Sequence, residues 1–184
     1  MRSRNRQNYE ACGNIFFVTS TIVGFHNLFS IDKICDIFIS KLKFYIERGD
    51  FVLLAYVLMP NHIHIILKPN NEIPISKIIG SLKRITSREI SDFLGQANMT
   101  GLANKIKISA THEPQASRIW KPRFDCFVIN SEKTLVQKIE YIHANPVKAG
   151  FVDKAEDWKY SSAADYCGRR ISLIDTDTEW RCLL

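Results

Sequence analysis

The stretch that most restricts the fold is Tyr56-Val57-Leu58-Met59-Pro60-Asn61-His62-Ile63-His64-Ile65-Ile66-Leu67-Lys68. An apolar run breaks at Pro60-Asn61, and a second run begins in which two histidines alternate with isoleucines. Side chains at i and i+2 of a strand share a face. A strand over residues 62–68 therefore puts Ile63, Ile65 and Leu67 on one side, as core, and His62, His64 and Ile66 on the other. Two imidazoles displayed from one face suit a single metal ion. A bare His-x-His is weak evidence, because histidines with ordinary partners show the same spacing.

The elements around this pair follow from pattern. Residues 14–22 are β-branched and aromatic and read as a first strand. Ser30 is expected to cap a helix reaching Arg48, with Ile34, Ile37, Phe38, Lys41, Leu42 and Tyr45 at three-to-four spacing. Residues 51–58, apolar on both faces, read as a central strand. Pro74 opens a second helix with the stripe Ile75, Ile78, Ile79, Leu82, Ile85 and Phe93. Lys77, Lys83, Arg84 and Arg88 lie largely off that stripe, as a solvated or a phosphate-contacting face. Residues 95–118 are polar and read as a loop or flexible insertion, in which Ile106 and Ile108 hint at an extended piece. A short strand near 124–129 completes the order β-α-β-β-α-β. That order specifies an α+β, ferredoxin-like sandwich: an antiparallel sheet with both helices on one face. The other face is then open, with His62 and His64 on it.

A further helix follows. Ser131 is its N-cap, residues 133–145 can be helical, and Pro146 is expected to stop it. At 100° per residue, Leu135, Val136, Ile139, Ile142 and His143 form one arc. Gln137, Lys138, Tyr141 and Asn145 form the opposite arc, where Tyr141 and Asn145 are neighbours one turn apart. His143, on the apolar arc, reads as a packed histidine with one hydrogen-bond partner.

Lys and Arg number 25 against 19 Asp and Glu, a net charge of +6 that modestly favours a polyanion partner. Residues 1–13 read as a flexible basic arm carrying Arg2, Arg4 and Arg6. No signal-peptide core follows the arm, and no apolar run approaches the ~18 residues that a membrane helix needs, so the expectation is a cytoplasmic protein without membrane contact. The five cysteines are odd in number and include no C-x-x-C, which argues for reduced thiols and against a disulfide framework or zinc knuckle. Trp120 and Trp158 are candidates for base stacking or for packing. Residues 147–184, with Arg169 and Arg170 and then an acidic stretch, read as an extension covering the core.

Taken together, these residues resemble a known family. Tyr56-x-x-Met59-Pro60-Asn61-His62-x-His64, followed by Tyr141-Ile142-His143-Ala144-Asn145-Pro146-Val147-Lys148-Ala149-Gly150, is similar to the REP-associated tyrosine transposases of the single-tyrosine HUH (His-hydrophobe-His) superfamily. Phe17-Val18-Thr19, Arg123-Phe124-Asp125 and Trp158-Lys159-Tyr160-Ser161-Ser162-Ala163 add to the match, which leaves residues 95–118 unaligned. The resemblance implies a single-strand DNA endonuclease and strand-transferase acting on hairpin, REP-like DNA through a covalent 5′-phosphotyrosine. It implies that Tyr141 is the nucleophile, and that His62, His64 and Asn145 hold a divalent metal, Mg²⁺ or Mn²⁺.

The expected organisation is a basic arm at 1–13, a nuclease domain at 14–146 that includes the catalytic helix 131–145, and an extension at 147–184. Candidate DNA contacts are Arg2, Arg4, Arg6, Lys83, Arg84, Arg88 and Arg123. The partner is single-stranded or hairpin DNA, and the protein is a monomer or a homodimer. The helix bearing Tyr141 either lies along the open sheet face of its own subunit or serves a partner. Two other readings compete: a domesticated relative that holds structured DNA without cutting it, and a metal-dependent hydrolase of a small substrate. The intact His-x-His and tyrosine argue against the first. The lack of a third His, Cys or carboxylate near the pair argues against the second.

Overall fold

The computed structural model describes residues 14–70, 73–112, 119–169 and 173–183. The expectations for Arg2, Arg4, Arg6 and Arg170 lie outside the described residues. Strands β1 (Ile15–Thr21), β2 (Phe51–Met59), β3 (His62–Pro69) and β4 (Asp125–Ile129) form one antiparallel sheet in the order β2-β3-β1-β4. Helices α1 (Asp32–Glu47) and α2 (Ile75–Gln96) connect them in the ferredoxin-like order. As alternation requires, Ile63, Ile65 and Leu67 of β3 join Phe16 and Val18 of β1 beneath Ile34, Phe38, Leu42, Ile78 and Leu82 of the two helices.

The opposite face is not open. Helix α4 (Glu132–Lys148) lies across it, and Leu135, Ile139 and Ile142 pack on Ile15, Leu54, Ala55, Val57 and Ile66. The cause is the helix's own apolar arc: burying each such side chain contributes roughly 1.5–3 kcal/mol, and the sheet face is the apolar surface within reach. Ser131 caps α4 as expected, its Oγ accepting from the Thr134 N–H. Pro146 does not stop the helix. It sits in the last turn, where its missing N–H costs one hydrogen bond, and the chain leaves the helix only at Gly150, whose φ is 73°.

Three further expectations need correction. Ser30 lies in a short 3-10 turn and makes no cap; α1 begins at Asp32, whose carboxylate suits the positive end of the helix. Residues 95–118 are not a loop throughout, because α3 (Thr100–Thr111) forms there and buries Ile106 against the core while Ile108 stays exposed. Strand β2 is not central but lies at the sheet edge. It is apolar on both faces because helices cover both. Its outer edge is satisfied by the C-terminal segment: Leu58 N–H donates to the Tyr160 carbonyl at 2.9 Å, Ser162 N–H to the Tyr56 carbonyl at 3.1 Å, and Asp177 N–H to the Leu53 carbonyl at 2.8 Å.

Candidate active site

His62 and His64 stand on the α4 side of β3, directly across from Thr21 and Thr19 of β1. His62 Nδ1 lies 2.7 Å from Asn61 Oδ1, and His64 Nδ1 lies 2.8 Å from Thr19 Oγ1. With each Nδ1–H donating to its oxygen, both Nε2 atoms keep a lone pair. The two ring centroids are 4.8 Å apart. His64 is only 5% exposed. Its burial, aided by the neighbouring His62 and Lys138 charges, pushes its pKa down to about 3. Burial also lowers the pKa of His62. Both rings are therefore neutral at pH 7, the state in which imidazole binds a metal.

Helix α4 delivers Tyr141 to this pair within one chain. Its ring centroid is 5.6 Å from that of His64 and 6.0 Å from that of Phe17. The tyrosine is 42% exposed, so α4 does not bury it with Leu135, Ile139 and Ile142. Asn145, one turn on and half-buried, donates from Nδ2 to the Tyr141 carbonyl at 3.1 Å. Among the described residues no hydrogen bond engages Asn145 Oδ1, and no three His, Cys, Asp or Glu side chains cluster as a metal site. Two imidazole nitrogens, with the Asn145 amide oxygen one turn beyond Tyr141, would make an incomplete donor set that leaves positions for oxygen ligands, a composition that suits Mn²⁺ or Mg²⁺.

The other expected residues are not gathered here. Lys83 is 7% exposed, and its ammonium donates to the carbonyls of Lys121 (2.6 Å), Pro122 (3.4 Å) and Arg123 (3.3 Å). It is not a surface phosphate contact, because the chain entering β4 presents carbonyls there that need a donor. Burial lowers its pKa to about 8, which leaves it charged at neutral pH. Arg84 and Arg88 are exposed on α2, across the sheet from the histidines, and Arg123 is exposed before β4. Trp120 is buried, with Nε1 donating to Thr86 Oγ1. Trp158 donates to the Leu58 carbonyl and stacks on Phe151. Arg169 pairs with Glu156 and Asp157. His143 is buried, 2.9 Å from Ser162 Oγ.

Sequence reasoning gave no site role to Phe17, Thr19 and Lys138, which lie beside His64, or to Phe127, which pairs with Phe17 across β1 and β4. Phe17 stacks on His64 with centroids 5.3 Å apart. The signal was present in alternation: Phe17 and Thr19 fall on the histidine face of β1.

Comparison with known proteins places the chain in a family. The Transposase IS200 like family matches residues 26–145. A protein of Haemophilus influenzae named as a REP-associated tyrosine transposase is 30% identical over 151 residues, 82% of this chain and 80% of that protein. A REP-associated tyrosine transposase of Escherichia coli K12 is 32% identical over 81 residues, 44% of this chain and 49% of that one. A solved REP-associated tyrosine transposase bound to a REP hairpin has the same fold, with a TM-score of 0.62 at 22% identity over 97% of this chain and 93% of that one. With a family match over most of its length and a relative aligned across four-fifths of it, this chain belongs to the IS200-like transposases.

Proposed function

We propose that this protein cuts and rejoins single-stranded DNA beside a hairpin, with Tyr141 as nucleophile and a divalent ion held by His62, His64 and Asn145. The observation that carries the reading is the Tyr141 ring 5.6 Å from His64 in the same chain, on a face where both histidines are neutral. Tyr141 Oη attacks the scissile phosphorus in line. The Oη–P bond forms as the P–O3′ bond breaks, and the phenolic proton is made up on the departing 3′ oxygen. The product is a 5′-phosphotyrosine and a free 3′-OH. A bound Mg²⁺ or Mn²⁺ supplies charge neutralisation on the non-bridging phosphate oxygens. Because one phosphodiester is exchanged for another, a second 3′-OH can reverse the step without ATP. Asn61 Oδ1 accepts from the His62 Nδ1–H, Thr19 would orient His64 in the same way, and the packing of Leu135, Ile139 and Ile142 fixes the height of Tyr141 over them. The hairpin substrate is proposed by analogy with the relative bound to a REP hairpin.

The test is a labelled hairpin oligonucleotide with single-stranded flanks, incubated with protein and Mn²⁺ and run on a denaturing gel. A protein-linked band is expected, and it should vanish in Tyr141→Phe. A band that survives Tyr141→Phe removes the tyrosine from the mechanism. Tight hairpin binding with no band at any Mn²⁺ concentration would favour a protein that holds DNA without cutting it.

A further inference from the structure

We propose that Lys138 is a further catalytic residue, whose ammonium binds the scissile phosphate and is held in position by Phe17 and Phe127. The proposal rests on Tyr141 being the nucleophile. Lys138 precedes Tyr141 by three residues on α4, so the two side chains project from the same side of the helix. Its Nζ lies 4.8 Å from the Phe17 ring centroid, 5.3 Å from that of Phe127 and 5.6 Å from that of Tyr141. Phe17 and Phe127 are partners across β1 and β4, so a rigid sheet supplies two of the three rings.

Aromatic faces attract an ammonium but accept none of its hydrogen bonds in the ordinary sense. Among the described residues no hydrogen bond or ion pair engages Lys138 Nζ. Its helical neighbours at three and four residues are Thr134, Leu135, Tyr141 and Ile142, none of them acidic. Lys41, by contrast, is matched by Glu89 at 2.7 Å. The cell beside the nucleophile therefore holds a positioned cation with unused N–H donors and neutral histidines for neighbours. The anion that a transesterification brings next to Tyr141 is a phosphodiester. As the phosphorus is attacked, an N–H aimed at its equatorial oxygens is a fixed charge that needs no reorganisation.

Two readouts test this: the single-turnover rate of the Tyr141–DNA adduct at saturating hairpin with Mn²⁺, and hairpin affinity in EDTA. Lys138→Gln should slow the adduct by about 100-fold while affinity changes little. Lys138→Arg should recover part of the rate, and Lys133→Gln, an exposed charge on the same helix, should change neither. Phe127→Ala, at a position 48% exposed and so tolerant of truncation, should slow the reaction about tenfold and have no further effect in the Lys138→Gln background. A Lys138→Gln protein that reacts at the wild-type rate overturns the proposal. So does one that loses hairpin affinity while its rate at saturation is unchanged. So, too, does a Phe127→Ala effect that persists undiminished without Lys138. Failure of the wild type to form an adduct instead sinks the underlying reading of Tyr141, and the role of Lys138 with it.

Discussion

Thr19 and His64 face each other across β1 and β3, with Thr19 Oγ1 2.8 Å from His64 Nδ1. If the proposed metal binds His64, a ring that donates its Nδ1–H to Thr19 Oγ1 leaves Nε2 for it. Replacing the hydroxyl while keeping the shape, in Thr19→Val, should weaken the Mn²⁺ dependence of adduct formation by about tenfold, the lower end for loss of a group that orients a ligand. The check is a Mn²⁺ titration of the cleavage rate. An unchanged midpoint would mean that the hydroxyl does not orient the ring.

Lys83 makes a contrasting prediction, because its charge is spent on the backbone. Lys83→Met leaves the carbonyls of Lys121, Pro122 and Arg123 without their donor and should cost about 2 kcal/mol of stability. Urea unfolding reads that loss. The slope of hairpin affinity against salt should stay the same, since no phosphate contact is removed.

His143 gives the protein an acid-sensitive joint between α4 and the C-terminal segment. Burial lowers its pKa from an ordinary 6.5 to about 4. Between those values the unfolded chain binds a proton that the folded chain does not, so stability falls as pH drops through that window and is complete above it. The full effect is roughly 3 kcal/mol. Urea midpoints measured from pH 7 to pH 4 should fall less steeply in His143→Gln than in the wild type. Part of the slope should remain, because His64 is depressed in the same direction.

Ser131 anchors the start of the helix that carries Tyr141. Ser131→Ala removes the acceptor for the Thr134 N–H and should cost about 1 kcal/mol. Thermal unfolding measures it. Tyr141 lies nearly three turns further on, beyond the stretch that a lost cap frays, so the adduct rate at 25 °C should be nearly unchanged.

Much of the site was legible because it depends on local periodicity. Alternation in β3 separates His62 and His64 from Ile63, Ile65 and Leu67 whatever the rest of the chain does. The 3.6-residue repeat separates Tyr141 and Asn145 from Leu135, Ile139 and Ile142 in the same way. What failed depends on distant partners. Nothing near β2 says that Tyr160, Ser162 and Asp177 will close its edge, so its two apolar faces imitate a central strand. Lys83 looks like any lysine off a stripe until the carbonyls before β4 are placed beside it. Helix α3 buries Ile106 as its one fully buried apolar side chain, too little to give a periodic signal. Pro146 misled because a proline gives up only its own bond to the carbonyl four residues back, and the N–H groups after it still close the turn, as Ala149 does on the Asn145 carbonyl.

The covering of β2 by the chain's own C-terminal segment also limits how copies of this protein can assemble. Its outward N–H and C=O groups at Leu53, Tyr56 and Leu58 are already bonded, so that margin cannot accept a strand from a neighbouring molecule. A sheet running continuously through two copies would have to join them at β4, the strand that carries Phe127.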